Sequence, residues 1–111
     1  MPVIEHDGIK VELDDDGFLA DFDAWNEKAA CAIAAREGVS NKCPLPEEQM
    51  DILKFIRAYY KKYQAMPIVR AVCTNVHQPK NCEYVQFPDP VTASKVAGLP
   101  KLATVTGYEI A

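Results

Sequence analysis

Residues 47–63 read Glu47-Glu48-Gln49-Met50-Asp51-Ile52-Leu53-Lys54-Phe55-Ile56-Arg57-Ala58-Tyr59-Tyr60-Lys61-Lys62-Tyr63. Leu53, Ile56, Tyr60 and Tyr63 recur at the spacing of one helical face, with Ile52, Phe55 and Tyr59 beside them. Lys54, Arg57, Lys61 and Lys62 are interleaved, and Glu47 and Glu48 stand where the helix dipole favours negative charge. The pattern predicts a long amphipathic helix. Its aromatic stripe reads as core, not as a cofactor or base-stacking surface, and no cofactor is called for.

Downstream, Gln64-Ala65-Met66-Pro67 breaks the chain and a second helix is expected from Ile68 to about Val76. The pair at 47–76 has the outline of a helix-turn-helix, a shape many helical domains share without touching DNA. The second helix offers Arg70 as its one cation for an anion or nucleic acid, which supports DNA binding only weakly, because phosphate contacts supply most non-specific affinity. A loop at 77–82 and the aromatic segment Tyr84-Val85-Gln86-Phe87-Pro88 lead to a helix from about Pro90 to Ala97. Gly98 can end that helix and Pro100 prevents its restart, so 98–111 is expected to form an arm suited to docking in a partner's cleft.

Upstream, residues 39–46, with Pro44 and Pro46, form a linker. Before it a helix is predicted from near Ala24, capped by Asp21 or Asp23, running through Trp25, Ala29, Ala32 and Ile33 to Gly38. Residues 1–20 read as a meander of three short strands. The first is Val3 to Glu5, and the second alternates Ile9, Val11 and Leu13 after the turn pair Asp7-Gly8. Phe18-Leu19-Ala20 follows the turn Asp14-Asp15-Asp16-Gly17. That acid run is turn chemistry and not a calcium loop, since Trp25 stands where a bidentate Glu would be needed. The elements expected in this single domain of 111 residues are therefore the meander at 1–20, a helical array at 21–97 and the arm at 98–111.

Hydrophobic residues make up 49% of the chain, enough for one modest core, yet no stretch approaches the roughly 20 apolar residues that span a bilayer. The N-terminus has neither a basic start nor an apolar run, so a cytoplasmic location is the default. Residues 1–50 carry twelve acids and four bases, a balance of −8, and residues 51–111 four acids and eight bases, a balance of +4. That asymmetry suits each half solvating its own surface, or a C-terminal half that meets an acidic partner.

Cys31, Cys43, Cys73 and Cys82 are spaced irregularly with no Cys-x-x-Cys pair, and in a reducing compartment they are expected as free thiols. Cys73, His77 and Cys82 could supply three metal ligands, but no fourth is evident and no metal site is expected. Cys31 lies in an alanine-rich helix and reads as buried and inert, whereas Cys82, near Lys80, is the candidate reactive thiol. Nothing points to an independent enzyme. There is no phosphate loop or nucleophile–base pairing, and His6 and His77 lie far apart in sequence.

Several of these stretches together resemble the DsrC/TusE family of sulfur-relay proteins. Asp14-Asp15-Asp16-Gly17-Phe18-Leu19 with Trp25 matches its N-terminal motif. Arg57-Ala58-Tyr59-Tyr60, Tyr63 and Pro67-Ile68-Val69-Arg70 match its central run, and Phe87-Pro88 and Ala97-Gly98-Leu99-Pro100-Lys101 its C-terminal one. The resemblance implies an α+β fold, a small antiparallel meander sheet packed on about five helices with a mobile C-terminal arm. It further implies docking on dissimilatory sulfite reductase or sulfurtransferase-type partners, with cysteines of the arm carrying sulfur and a membrane reductase acting downstream. Here the first arm cysteine falls on Ser94, and the second on Val105 or, with a short insertion after Lys101, on Tyr108 in Thr106-Gly107-Tyr108. Neither a hydroxyl nor an alkyl group can form a persulfide. The reading is thus a DsrC-like binding or regulatory protein whose arm (Gly98, Leu99, Pro100, Lys101, Thr106, Gly107, Tyr108) docks without carrying sulfur. The alternatives are a transcriptional regulator using 47–76 and a sulfur carrier with a relocated thiol such as Cys82.

Overall fold

The structure, a computed structural model, describes residues 3–6, 8–79, 82, 86–87 and 90–101. The α+β expectation holds. Among the described residues an antiparallel hairpin of β1 (Val3–His6) and β2 (Ile9–Glu12) precedes the helices α1 (Glu27–Arg36), α2 (Glu47–Tyr63), α3 (Val69–Asn75) and α4 (Pro90–Val96). Gly8, at φ +81, makes the turn that sets Ile4 opposite Val11. The expected third strand is reduced to a single bridge between Leu13 and Leu19. The Asp14 carboxylate accepts hydrogen bonds from the backbone N–H of Asp16 and Phe18, at 2.9 and 3.0 Å, and closes the turn too tightly for a longer ladder.

The first helix also starts later than its sequence suggests. Asp21 caps a short 3-10 turn, Phe22–Ala24, by accepting from Asp23 N–H, and Asn26 caps α1 by accepting from Ala29 N–H at 2.8 Å. Two cap residues in succession divide what periodicity reads as one helix.

Helix α1 is the centre of the fold. Ala29 to Ala34 are all buried, so this helix is covered on every side, packing against both strands and α4. Its small side chains permit that close approach. Helix α2 contributes Ile52, Leu53 and Ile56, each at 0% exposure, and packs on α3 and α4. The aromatic stripe is core only in part: Phe55, Tyr59 and Tyr60 are half-buried, and Tyr63 is 55% exposed against Tyr59, their ring centres 4.6 Å apart. Among the described residues no helix is long and apolar enough to cross a membrane.

The free-thiol expectation is overturned. Cys31 pairs with Cys43 and Cys73 with Cys82, each with Cα atoms 5.6 Å apart, and no cysteine is left free. The pairing is invisible in the spacing because it is made by chain reversals: the linker returns to α1, and the segment after α3 returns to that helix. Cys82 is 1% exposed and disulfide-bonded, which removes it as a reactive thiol. The same bond removes two of the three metal ligands considered, and no cluster of three or more His, Cys, Asp or Glu forms among the described residues.

Closing loops of this size stabilises the folded chain by about 2–4 kcal/mol per bridge, largely by restricting the unfolded state. Unfolded in urea without reductant, the protein should take up no thiol-alkylating reagent, and after reduction it should take up four per chain. Reduction should also lower the urea midpoint. Labelling of the unreduced chain would contradict the pairing.

Candidate functional site at the root of the arm

Helix α4 ends in a Schellman motif. Gly98, at φ +77, donates its N–H to the Lys95 carbonyl at 3.0 Å, and Leu99 N–H reaches back to the Ser94 carbonyl at 3.1 Å. This leaves the carbonyls of Val96 and Ala97 pointing off the helix end without intrahelical partners. Two side chains from distant parts of the sequence meet them. Trp25 Nε1–H donates to Val96 O at 2.8 Å, and Arg57 Nη1 donates to Ala97 O at 3.0 Å.

Arg57 does more than cap. Its Nη2 donates to Phe22 O at 2.9 Å, and its guanidinium lies 3.8 Å from the Phe22 ring centre and 4.6 Å from that of Trp25. One cation on α2 thus holds the 3-10 turn and the end of α4 together, stacked between two aromatic rings. Burial pulls the proton affinity of Arg57 below its ordinary value and Asp23 opposes that shift. A guanidinium remains charged regardless, so its attraction for the α4 C-terminus is permanent.

The chain leaving this clamp is held as well. Leu99 is 0% exposed, Pro100 is half-buried, and Lys101 donates to Asp16 Oδ2 at 2.8 Å. That hydrogen bond is the main reason the Lys101 ammonium holds its proton more tightly than usual. The first three residues of the predicted arm are therefore packed, not loose, and the exposed fourth is held by its ion pair. Gly98 leaves no room for a side chain: a Cβ there would lie 2.6 Å from Trp25 Cδ1, 3.0 Å from Leu19 Cδ2 and 3.1 Å from Arg57 Nη1.

Of the residues singled out from sequence, Gly98, Leu99, Pro100 and Lys101 fall at this site. Ser94 faces inward at 0% exposure, its hydroxyl donating to the Val91 carbonyl at 2.7 Å. Arg70 is exposed on α3. Val105, Thr106, Gly107 and Tyr108 lie outside the described residues. Sequence reasoning gave no role to Arg57, Trp25 or Asp16, although all three stand inside the matched motifs. The signal was there: three motifs scattered along the chain converge on one helix end.

Gly38 supplies a control for Gly98. It closes α1 at φ +75 with the same motif, yet has nothing within 4 Å of a built Cβ. Gly38→Ala should cost about 1 kcal/mol, the strain of a left-handed alanine. Gly98→Ala should cost roughly 2–4 kcal/mol because the clamp must also open. Urea unfolding of the two variants measures the difference; equal costs would show that Trp25 and Arg57 do not press on Gly98.

Comparison with known proteins shows the family. The family described as DsrC like protein matches residues 5–104. A sulfurtransferase TusE homolog of Haemophilus influenzae is 37% identical over 105 residues, covering 86% of this chain and 93% of its own. The dissimilatory-type sulfite reductase gamma subunit of Nitratidesulfovibrio vulgaris is 34% identical over 103 residues, covering 91% and 95%. The crystal structure of the oxidized gamma-subunit from Archaeoglobus fulgidus superposes with a TM-score of 0.71 at 35% identity, covering 90% of this chain and 96% of that one. Family, curated relatives and solved fold coincide along almost the whole sequence, and this chain belongs to the DsrC-like family.

Proposed function

We propose that this chain is a binding or regulatory member of its family, which docks through its C-terminal arm on a dissimilatory sulfite reductase or a sulfurtransferase and carries no sulfur on that arm. The observation that carries this reading is a mismatch between root and tip. The root is built with care: Arg57 and Trp25 hold the last carbonyls of α4, Leu99 is buried, and Lys101 is paired with Asp16. Such preorganisation lowers the entropy lost when an arm is captured by a partner. The residues beyond it include no cysteine up to Ala111. A docking arm with no thiol can occupy a partner's cleft but cannot leave with a sulfur atom.

Ser94 supports the same reading from the other side. It occupies the position that the resemblance assigns to the first arm cysteine, but it is buried and hydrogen-bonded to Val91, and a serine hydroxyl does not form a persulfide. Occupancy without chemistry would make the protein a competitor of any relative that does carry sulfur.

Calorimetric titration with the sulfite reductase and with the sulfurtransferase of the source organism tests the docking. Saturable binding is expected for one of them, weakened by about tenfold, or about 1.4 kcal/mol, in a chain ending at Lys101. Binding to neither, or binding unaffected by the truncation, would overturn it. Incubated with a persulfide-loaded sulfurtransferase, the arm peptide should gain no mass, whereas the Tyr108→Cys variant should gain one sulfur atom.

A further inference from the structure

The two disulfides differ in what can reach them. Cys73 and Cys82 are both buried, at 0% and 1% exposure, and Cys82 N–H is directed at Cys73 Sγ from 3.1 Å. Cys31 is equally buried on α1, but its partner Cys43 is exposed on the linker between α1 and α2. A cleft of about 450 Å³ opens between β1, α1 and that linker, lined by Glu5, His6, Ala32, Ala35, Arg36 and Asn41 among others. Ala35 lies one helical turn beyond Cys31 and Asn41 two residues before Cys43, so the cleft lies between the same two segments that the bridge joins, although neither cysteine lines it.

Thiol–disulfide exchange begins when a sulfur nucleophile attacks one sulfur of the bond and expels the other, and access decides which sulfur is attacked. Here access selects Cys43 Sγ and makes Cys31 Sγ the leaving group. A sulfur departing into an apolar interior does so as a neutral thiol, because an unpaired charge there is costly.

We infer that the Cys31–Cys43 bridge is a sulfide-accepting site on the body of the protein, separate from the arm and from the docking read above. Hydrogen sulfide attacks Cys43 Sγ; the bond between the two cysteine sulfurs breaks, and a bond between Cys43 Sγ and the incoming sulfur forms. The electron pair of the broken bond stays on Cys31 Sγ, which takes up one proton of the sulfide. The products are a persulfide on Cys43 and a thiol on Cys31. The disulfide is reduced as the sulfide is oxidised to the persulfide level, so no further oxidant takes part. Burial makes Cys31 Sγ both a slow leaving group and a weak nucleophile, so opening and reclosure are slowed alike and excess sulfide drives the opening by mass action.

Sodium sulfide is the probe. The oxidised full-length protein, with no partner present, is incubated anaerobically, alkylated and mapped by peptide mass. One additional sulfur atom is expected on the Cys43 peptide and a simple alkylated thiol on Cys31, with the Cys73–Cys82 bridge intact. Additional sulfur on Cys31, Cys73 or Cys82, or on none of them, would overturn the inference. The Cys31→Ser variant keeps the Cys43 thiol but has no bridge to act as oxidant, so it should gain nothing. Gain of sulfur by that variant would show that Cys43 is loaded by some route other than bridge opening. The wild-type map stands alone if the variant does not fold, and the docking titration is unaffected by either result.

Discussion

The position of the Arg57 side chain is the constraint on which the rest of the molecule depends. It projects from the middle of the longest helix, where a cation would ordinarily be turned to solvent, and satisfies two carbonyls belonging to other elements. Each such carbonyl would cost about 1–3 kcal/mol if buried without a donor. Its plane lies against Phe22 and Trp25, which in turn are fixed by the 3-10 turn and by the Trp25 bond to Val96. The planar fork of arginine is what allows both carbonyls to be met at once, and a lysine would reach only one. The 3-10 turn, α2 and α4 are therefore registered against each other by polar contacts, over a core that is otherwise non-directional.

That arrangement sets where the C-terminal arm begins. A helix end is normally the loosest part of a helix, but here the last turn of α4 is closed by a Schellman motif and gripped from outside by two side chains. Gly98 is the one residue compatible with both the left-handed backbone and the space left by Trp25, Leu19 and Arg57. Burial of Leu99 and the Lys101–Asp16 pair carry the constraint a few residues further. The ion pair is half exposed and screened by salt, so it biases direction more than it adds stability.

The two disulfides act on another layer. One ties the linker to α1 and the other ties Cys82 back to α3. Their unequal exposure means that a soluble reagent meets them differently. The chain belongs to the DsrC-like family and has no cysteine among residues 98–111, so its four cysteines all lie in the two bridges.

Much of the fold was legible in the residues. Periodicity delimited α2 to the residue, glycine marked the ends of α1 and α4, and alternation marked the hairpin, because each of these depends on neighbours within a few positions. Family motifs located the root of the arm for the same reason. What the sequence could not state were the meetings of distant parts: Arg57 with Ala97 and Phe22, Trp25 with Val96, Cys31 with Cys43 and Cys73 with Cys82. The spacing of the cysteines pointed to free thiols, and only the return of the chain on itself brought them to 5.6 Å between Cα atoms. Local propensity is written in adjacent residues, whereas partner choice across tens of residues is decided by the one packing that buries α1 on every side.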